Sequence, residues 1–92
     1  MRQIKKLETP ELNQILTPKL LGQAIKARRT QSNLRLEDAA ALCGVAKQTL
    51  MMIEHGQSTS QLVSVLRVCA ALGIKLFIEP WHSNDEVNNE WK

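Results

Sequence analysis

Apolar residues recur at helical intervals in four stretches of this chain, each set off by a short polar break. Between Pro18 and Arg29, Leu21, Ala24, Ile25 and Arg28 share one face while Lys19, Gln23 and Lys26 take the other, so the spacing predicts a first helix there. Thr17-Pro18 gives it an N-cap and a proline at the first helical position; Thr9-Pro10 repeats the signal and predicts a short helical turn from Pro10 to about Ile15. Thr30-Gln31-Ser32-Asn33 breaks the pattern, with Asn33 the residue type after glycine best suited to left-handed backbone. A second helix runs from about Leu36 to Cys43, where Ala39-Ala40-Ala41 lets a neighbour approach closely, and Gly44 supplies the positive φ that stops it. Val45 plugs the turn. Leu50 and Ile53 mark the apolar face of a third helix, about Lys47 to Glu54, closed by His55-Gly56. After Gln57-Ser58-Thr59-Ser60, the stripe Leu62, Val65, Leu66, Cys69 and Leu72 predicts a fourth helix buried along that face, capped by Ser60 or nearby and ended by Gly73.

Ile74-Lys75-Leu76-Phe77-Ile78-Glu79 alternates weakly, is β-branched and aromatic, and stops at Pro80, which predicts one strand. A single strand in a helical chain has no partner for its backbone groups. The same strand from a second copy satisfies them, so Ile74, Leu76, Phe77 and Ile78 predict a twofold dimer. Beyond Pro80 the chain is polar, Asn-rich and acidic apart from Trp81, Val87 and Trp91, and is expected to be mobile in the free protein.

Composition sharpens this division. The 92 residues carry 12 Lys plus Arg against 9 Asp plus Glu, a formal charge of +3. Residues 1–75 hold eleven of the bases and five of the acids, whereas residues 76–92 hold one and four; a +6 body therefore precedes a −3 end. Phe77, Trp81 and Trp91 are the only aromatics, so the body must build its core from aliphatics. A chain this short forms one domain and buries only about 60–65% of the surface it exposes when unfolded, which dimerisation would improve. Three regions result: an N-terminal extension over 1–17, a folded domain with its strand over 18–80, and a tail over 81–92.

Several function classes drop out. The longest unbroken apolar run, Ala39 to Ala46, is far short of the roughly 20 residues that span a bilayer. The opening Met-Arg-Gln-Ile-Lys-Lys leads into Leu-Glu-Thr-Pro without an apolar signal core, so the expected location is the cytoplasm. Cys43 and Cys69 lie among apolar neighbours and read as small, reduced core residues. A metal site from Cys43, His55, Cys69 and His82 is disfavoured by spacings of 12, 14 and 13 residues, because structural zinc sites bring their ligands in close pairs. No nucleophile, histidine and acid arrangement or phosphate-cradling glycine loop is present, so no enzyme and no cofactor is expected.

Two short helices joined by a tight glycine turn inside a basic helical domain describe a helix-turn-helix, whose second helix enters a DNA major groove. The stretch Leu36-Glu-Asp-Ala-Ala-Ala-Leu-Cys-Gly-Val-Ala-Lys-Gln-Thr-Leu-Met-Met-Ile-Glu-His-Gly56, followed by Ala71-Leu-Gly-Ile74, resembles the XRE family of phage-repressor-like DNA-binding domains. The resemblance covers about residues 18–74, with the turn glycine, Val45, Leu50, Ile53, Glu54 and Gly56 at the family's offsets. It implies an all-α fold, a repressor-like domain of four to five helices, with the one C-terminal strand added. Lys75-Leu-Phe-Ile-Glu-Pro80 and the ending Asn88-Asn-Glu-Trp91 further resemble the HipB-type antitoxins, small dimers that bind a HipA-type kinase toxin and repress their shared operon.

By that resemblance Ala46, Lys47, Gln48 and Met52 match the base-facing positions of the recognition helix, with Thr49 near the adjacent phosphates. Lys47 suits guanine O6/N7 and Gln48 suits adenine N6/N7, while Met51 and Met52 serve either thymine methyls or packing. Arg35 and Lys26 are placed to hold phosphate, as are His55 and Gln57 beyond the helix; Leu36 stands where the family commonly has a phosphate-binding glutamine. Arg29 and Glu54, 25 residues apart, match the family's internal ion pair. Trp91, with Asp85, Glu86 and Glu90 around it, reads as a toxin-binding anchor or as a free end.

The leading expectation is a dimeric repressor and antitoxin whose partners are an inverted-repeat operator, a second copy and a HipA-type toxin. The runner-up is a plain XRE-type regulator without a toxin. A third reading, a protein-interaction module that has lost DNA binding, draws on Leu36 and the methionine pair.

Overall fold

The computed structural model describes residues 4–57 and 59–81. Four helices follow one another: α1 (Pro18–Gln31), α2 (Leu36–Cys43), α3 (Lys47–Glu54) and α4 (Leu62–Leu72). The expected fifth piece, a helical turn from Pro10 to Ile15, is absent; that stretch makes only a bend, with the Gln14 amide donating to the Leu12 carbonyl at 2.9 Å. A proline start alone does not sustain so short a helix when its apolar side chains, Leu12 and Ile15, stay exposed instead of packing on the core.

Each helix ends for a local reason. Thr17 Oγ1 accepts from the Leu20 amide at 3.0 Å and Pro18 follows it, satisfying one of the donors that every helix start leaves open. Asn33 takes φ 61° in the turn between α1 and α2. Gly44 at φ 74° and Gly73 at φ 77° close α2 and α4 with the same reversal: the Val45 amide donates to Ala40 O at 3.0 Å and the Ile74 amide to Cys69 O at 2.8 Å. The start of α4 is less finished. Its N-cap is Gln61, which makes no side-chain capping bond, and the adjacent Ser60 Oγ is buried without a hydrogen-bond partner among the described residues.

α1 packs against α3 and α4, and α2 packs against the same two helices. Ile25, Leu50 and Val68 are fully enclosed between them, joined by Ala39, Ala40, Cys43, Ile53, Cys69 and Leu72. Val45 and Leu36 are half-buried against this cluster. Among the described residues every apolar side chain of the core is thus aliphatic or a cysteine.

The stripe expected on α4 is buried only in part. Cys69 and Leu72 are inside and Val65 is half-buried, but Leu62 and Leu66 are 70% and 47% exposed, and Val68, outside the predicted stripe, is fully buried. Helix periodicity registers an apolar face without saying what covers it. The fully buried residues of α4 all lie in its C-terminal half; in the first half Val65 packs partly against the core while Leu62 and Leu66 face outward beside Val63. Residues 74–81 follow α4 without helix and without strand pairing in the single chain, with Phe77, Ile78 and Trp81 exposed. Glu90, Trp91 and the tail beyond Trp81 lie outside the described residues.

Candidate nucleic-acid interface

α2, the Gly44-Val45-Ala46 turn and α3 set the face on which the candidate site lies. Leu50 and Ile53 anchor the inner side of α3 in the core. The opposite side is left to solvent: Ala46, Lys47 and Gln48 are exposed, Thr49 is half-buried, Met51 is exposed and Met52 half-buried. Intrahelical bonding begins with the Leu50 amide donating to Ala46 O at 3.1 Å, so the amides of the first turn are left without an intrahelical acceptor at the N-terminal end of α3.

Two contacts behind α3 fix its angle. Arg29 Nε donates to Glu54 Oε2 at 2.6 Å and Nη2 to Glu54 Oε1 at 3.0 Å, while Nη1 reaches the Leu34 carbonyl at 2.9 Å. The two side chains are only 10% and 5% exposed, so this forked pair is an internal strut joining α1, the end of α3 and the approach to α2. The second contact is made by a residue that lacks a side chain. A Cβ built on Gly22 would lie 2.6 Å from the carbonyl oxygens of both Ile53 and Glu54, so α1 lies against the last turn of α3 at a distance only glycine permits. Sequence reasoning passed over Gly22, although a glycine inside an otherwise regular helix is itself a sign of close approach.

The remaining site residues are distributed unevenly. Arg35 is the exposed N-cap of α2. Arg35 and Lys47 both bear on Glu37: a bond to its own backbone, then Lys47 and, more weakly, Arg35 and Arg29, hold its carboxylate below the ordinary glutamate range. Lys47 and Arg35 thus both place positive charge near Glu37, where α2 and α3 begin. His55, the exposed C-cap of α3, and exposed Gln57 lie at its other end, about 12 Å away by helix rise. Lys26 is exposed on α1, and nothing draws it into contact with the others. Thr49 and Met52 line a small groove of about 170 Å³ against Thr59, Ser60, Gln61 and Ser64 at the start of α4, a hydroxyl-rich wall that sequence reasoning also missed. Among the described residues no three His, Cys, Asp or Glu side chains cluster as a metal set.

Residues 25–78 match the family model described as helix-turn-helix (HTH_3), a span that holds the whole α2–turn–α3 unit and more than half of the chain. The chain belongs to the helix-turn-helix family of DNA-binding transcriptional regulators. This regulator is 33% identical over 64 residues to the uncharacterized HTH-type transcriptional regulator y4mF of Sinorhizobium fredii (strain NBRC 101917 / NGR234), covering 70% of its own length and 84% of the relative. Its fold is similar to that in the HipB-O4 20mer complex, at a TM-score of 0.67 and 18% identity over 77% of the regulator and the whole of that chain. The HipA-HipB-O2-O3 complex gives the same TM-score of 0.67 and 18% identity over 77% of the regulator and, again, the whole of the matched chain. None of its helices among the described residues is long and apolar enough to cross a membrane.

Proposed function

We propose that the regulator is a dimeric repressor which reads an inverted-repeat operator through the N-terminal end of α3 and serves as the antitoxin to a kinase-like toxin. The observation that carries the DNA reading is the exposed Ala46, Lys47 and Gln48 ridge, held from behind by the buried Arg29–Glu54 pair and the Gly22 contact. Lys47 and Gln48 read base edges, with Ala46 close enough for a thymine methyl and Met52 at the margin. Arg35, Thr49, Lys26, His55 and Gln57 hold phosphates on either side, fixing register without reading sequence. Two chains then address half-sites about one helical turn, roughly 34–36 Å, or a multiple apart.

Dimerisation is supported by the exposed apolar residues Leu62, Val63 and Leu66 of α4 and Phe77 and Ile78 after it. A groove of about 600 Å³ between the N-terminal segment, α1 and residues 73–77 adds apolar surface from Leu12, Leu16, Leu20 and Phe77. Pairing of residues 74–79 across the twofold axis would satisfy their own backbone groups and cover Phe77 or Ile78, and a second chain alongside would have the exposed face of α4 left to bury. Support for the antitoxin role is narrower: the fold shared with HipB and a tail with Glu90 and Trp91 at its end. A regulator without a toxin is the second reading, favoured by the y4mF relative.

Binding to the DNA upstream of its own gene tests the first part. Lys47→Ala and Gln48→Ala should each lose about 1–3 kcal/mol of discrimination between that DNA and a scrambled duplex. No specific complex at moderate salt removes the repressor reading. Light scattering should give twice the 10.4 kDa chain mass, reduced to one chain by Phe77→Glu. Co-purification of the neighbouring gene product with the full chain, and its loss from a version ending at Pro80, would favour the antitoxin role; no recovery with the full chain leaves the plain regulator.

A further inference from the structure

The N-terminal segment is fastened to the domain at one point. The Leu7 amide donates to Thr30 Oγ1 at 3.0 Å, and Gln31 Nε2 donates to Leu7 O at 2.8 Å and to Thr9 Oγ1 at 3.0 Å. Thr30 is itself buried and donates back to the Lys26 and Ala27 carbonyls, so the anchor is rigid. Ile4 and Leu7 are half-buried, while Lys5 and Lys6 between them are exposed.

The anchor divides the segment by charge. Before it come Lys5 and Lys6; Glu8 lies within it, between Leu7 and Thr9, and Glu11 follows on the part that runs back toward the apolar groove lined by Thr9, Leu12 and Leu16. Thr30 adjoins Arg29, which bonds to Glu54 of α3 and to the carbonyl just before Arg35. The cationic half therefore leaves the domain at the end of α1 that meets α2 and α3, the same end as Arg35, and Lys26 flanks the anchor one helical turn back. One residue of chain from Leu7 plus a lysine side chain reaches about 10 Å, enough to meet a backbone phosphate beside that face.

From this geometry we infer that Lys5 and Lys6 form a second DNA contact outside the helix-turn-helix, binding duplex backbone that flanks the half-site. The inference rests on the DNA-binding reading above. It assigns to the N-terminal segment a role in affinity that is indifferent to sequence, since lysines on phosphates carry no base information. Each phosphate neutralised contributes about −0.9 to the slope of log K against log salt, and two contacts per chain raise affinity at about 0.15 M salt by roughly 25- to 30-fold relative to their loss.

The test compares the full-length chain with Lys5→Gln/Lys6→Gln, measuring affinity from 0.05 to about 0.3 M salt on the upstream DNA and on a scrambled duplex of equal length. The double variant should lose affinity on both duplexes alike and flatten the slope by up to about 1.8 per chain, with an unchanged melting temperature. Gln31→Ala, which removes the bonds to Leu7 O and Thr9 Oγ1 but keeps the Leu7–Thr30 bond, should flatten it in the same direction by a smaller amount. A slope that stays the same on both duplexes overturns the inference. Failure of the DNA reading looks different: the parent then shows no preference between the duplexes and no loss with Gln48→Ala, while the slope on the scrambled duplex still reports what Lys5 and Lys6 do.

Discussion

Replacing Gly22 by alanine sets two known effects against each other. Alanine is the better helix former, by about 0.8–1.0 kcal/mol inside a helix. The new Cβ, however, would stand 2.6 Å from the carbonyl oxygens of Ile53 and Glu54 and 2.9 Å from the Glu54 carbonyl carbon. Reaching ordinary contact requires α1 to retreat from α3 by about 0.8 Å or more. Neither side gives easily, because the obstacles are backbone atoms of a helix whose last turn is tied to α1 by the Arg29–Glu54 bonds seven residues along. Overpacking of this kind costs about 1–3 kcal/mol, and a clash with two fixed backbone oxygens belongs at the upper end. The balance is a net loss of about 2 kcal/mol, which for a domain of this size lowers the melting temperature by roughly 8–16 °C. Thermal unfolding followed by far-ultraviolet circular dichroism measures it, with Gln23→Ala, on the exposed side of the same helix, as the control. A Gly22→Ala protein that melts at or above the parent temperature refutes the close packing of α1 on α3.

Two buried features and one exposed carboxylate can be probed in the same way. Glu54→Ala leaves Arg29 buried without its carboxylate and should cost about 3–5 kcal/mol in urea unfolding, a large share of the stability of so small a domain; an unchanged midpoint would discard the strut. Glu37 has its carboxylate held below the ordinary range, so its contribution to stability is present above that range and is lost as pH falls through the lowered value; an NMR titration should place its midpoint under that of a free glutamate, and Lys47→Ala should move the midpoint upward. Burial pushes the thiols of Cys43 and Cys69 up, so both should resist alkylation at pH 8 in the folded protein and react together in denaturant; rapid labelling of either in native buffer would contradict their place in the core.

Much of the architecture could be read in the chain because its signals were local. α2 and α3 fall where Gly44, Leu50 and Ile53 place them, and α1 and α4 begin or end at Thr17-Pro18 and Gly73. What escaped were features that depend on a neighbour. Leu62 and Leu66 carry the same periodicity whether a core or a second surface covers them, so the phase of α4 was misread. Gly22 gives no signal by its own chemistry and acquires meaning only from the carbonyls of α3 opposite it. Thr30 and Gln31 looked like a simple polar break, yet Thr30 is buried and both hold the N-terminal segment. In the candidate site, Lys47 and Gln48 were legible from their position on α3, whereas the Thr59 to Ser64 wall beside Met52 needed the fold to bring it there.

Among the described residues no aromatic ring lies in the core. Ile25, Leu50 and Val68 emit no light, and the chain has no tyrosine, so fluorescence excited beyond the absorption of Phe77 comes from Trp81 and Trp91 alone. Trp81 already stands 65% exposed, and melting the helical body would barely alter its surroundings. Emission from Trp81 in a single chain is therefore nearly blind to melting of the helices but sensitive to whatever covers the segment after α4. Addition of a partner that buries Trp81 or Trp91 should shift the spectrum to the blue while the helical signal stays constant, which makes Trp81 a built-in, label-free reporter of assembly rather than of helix melting.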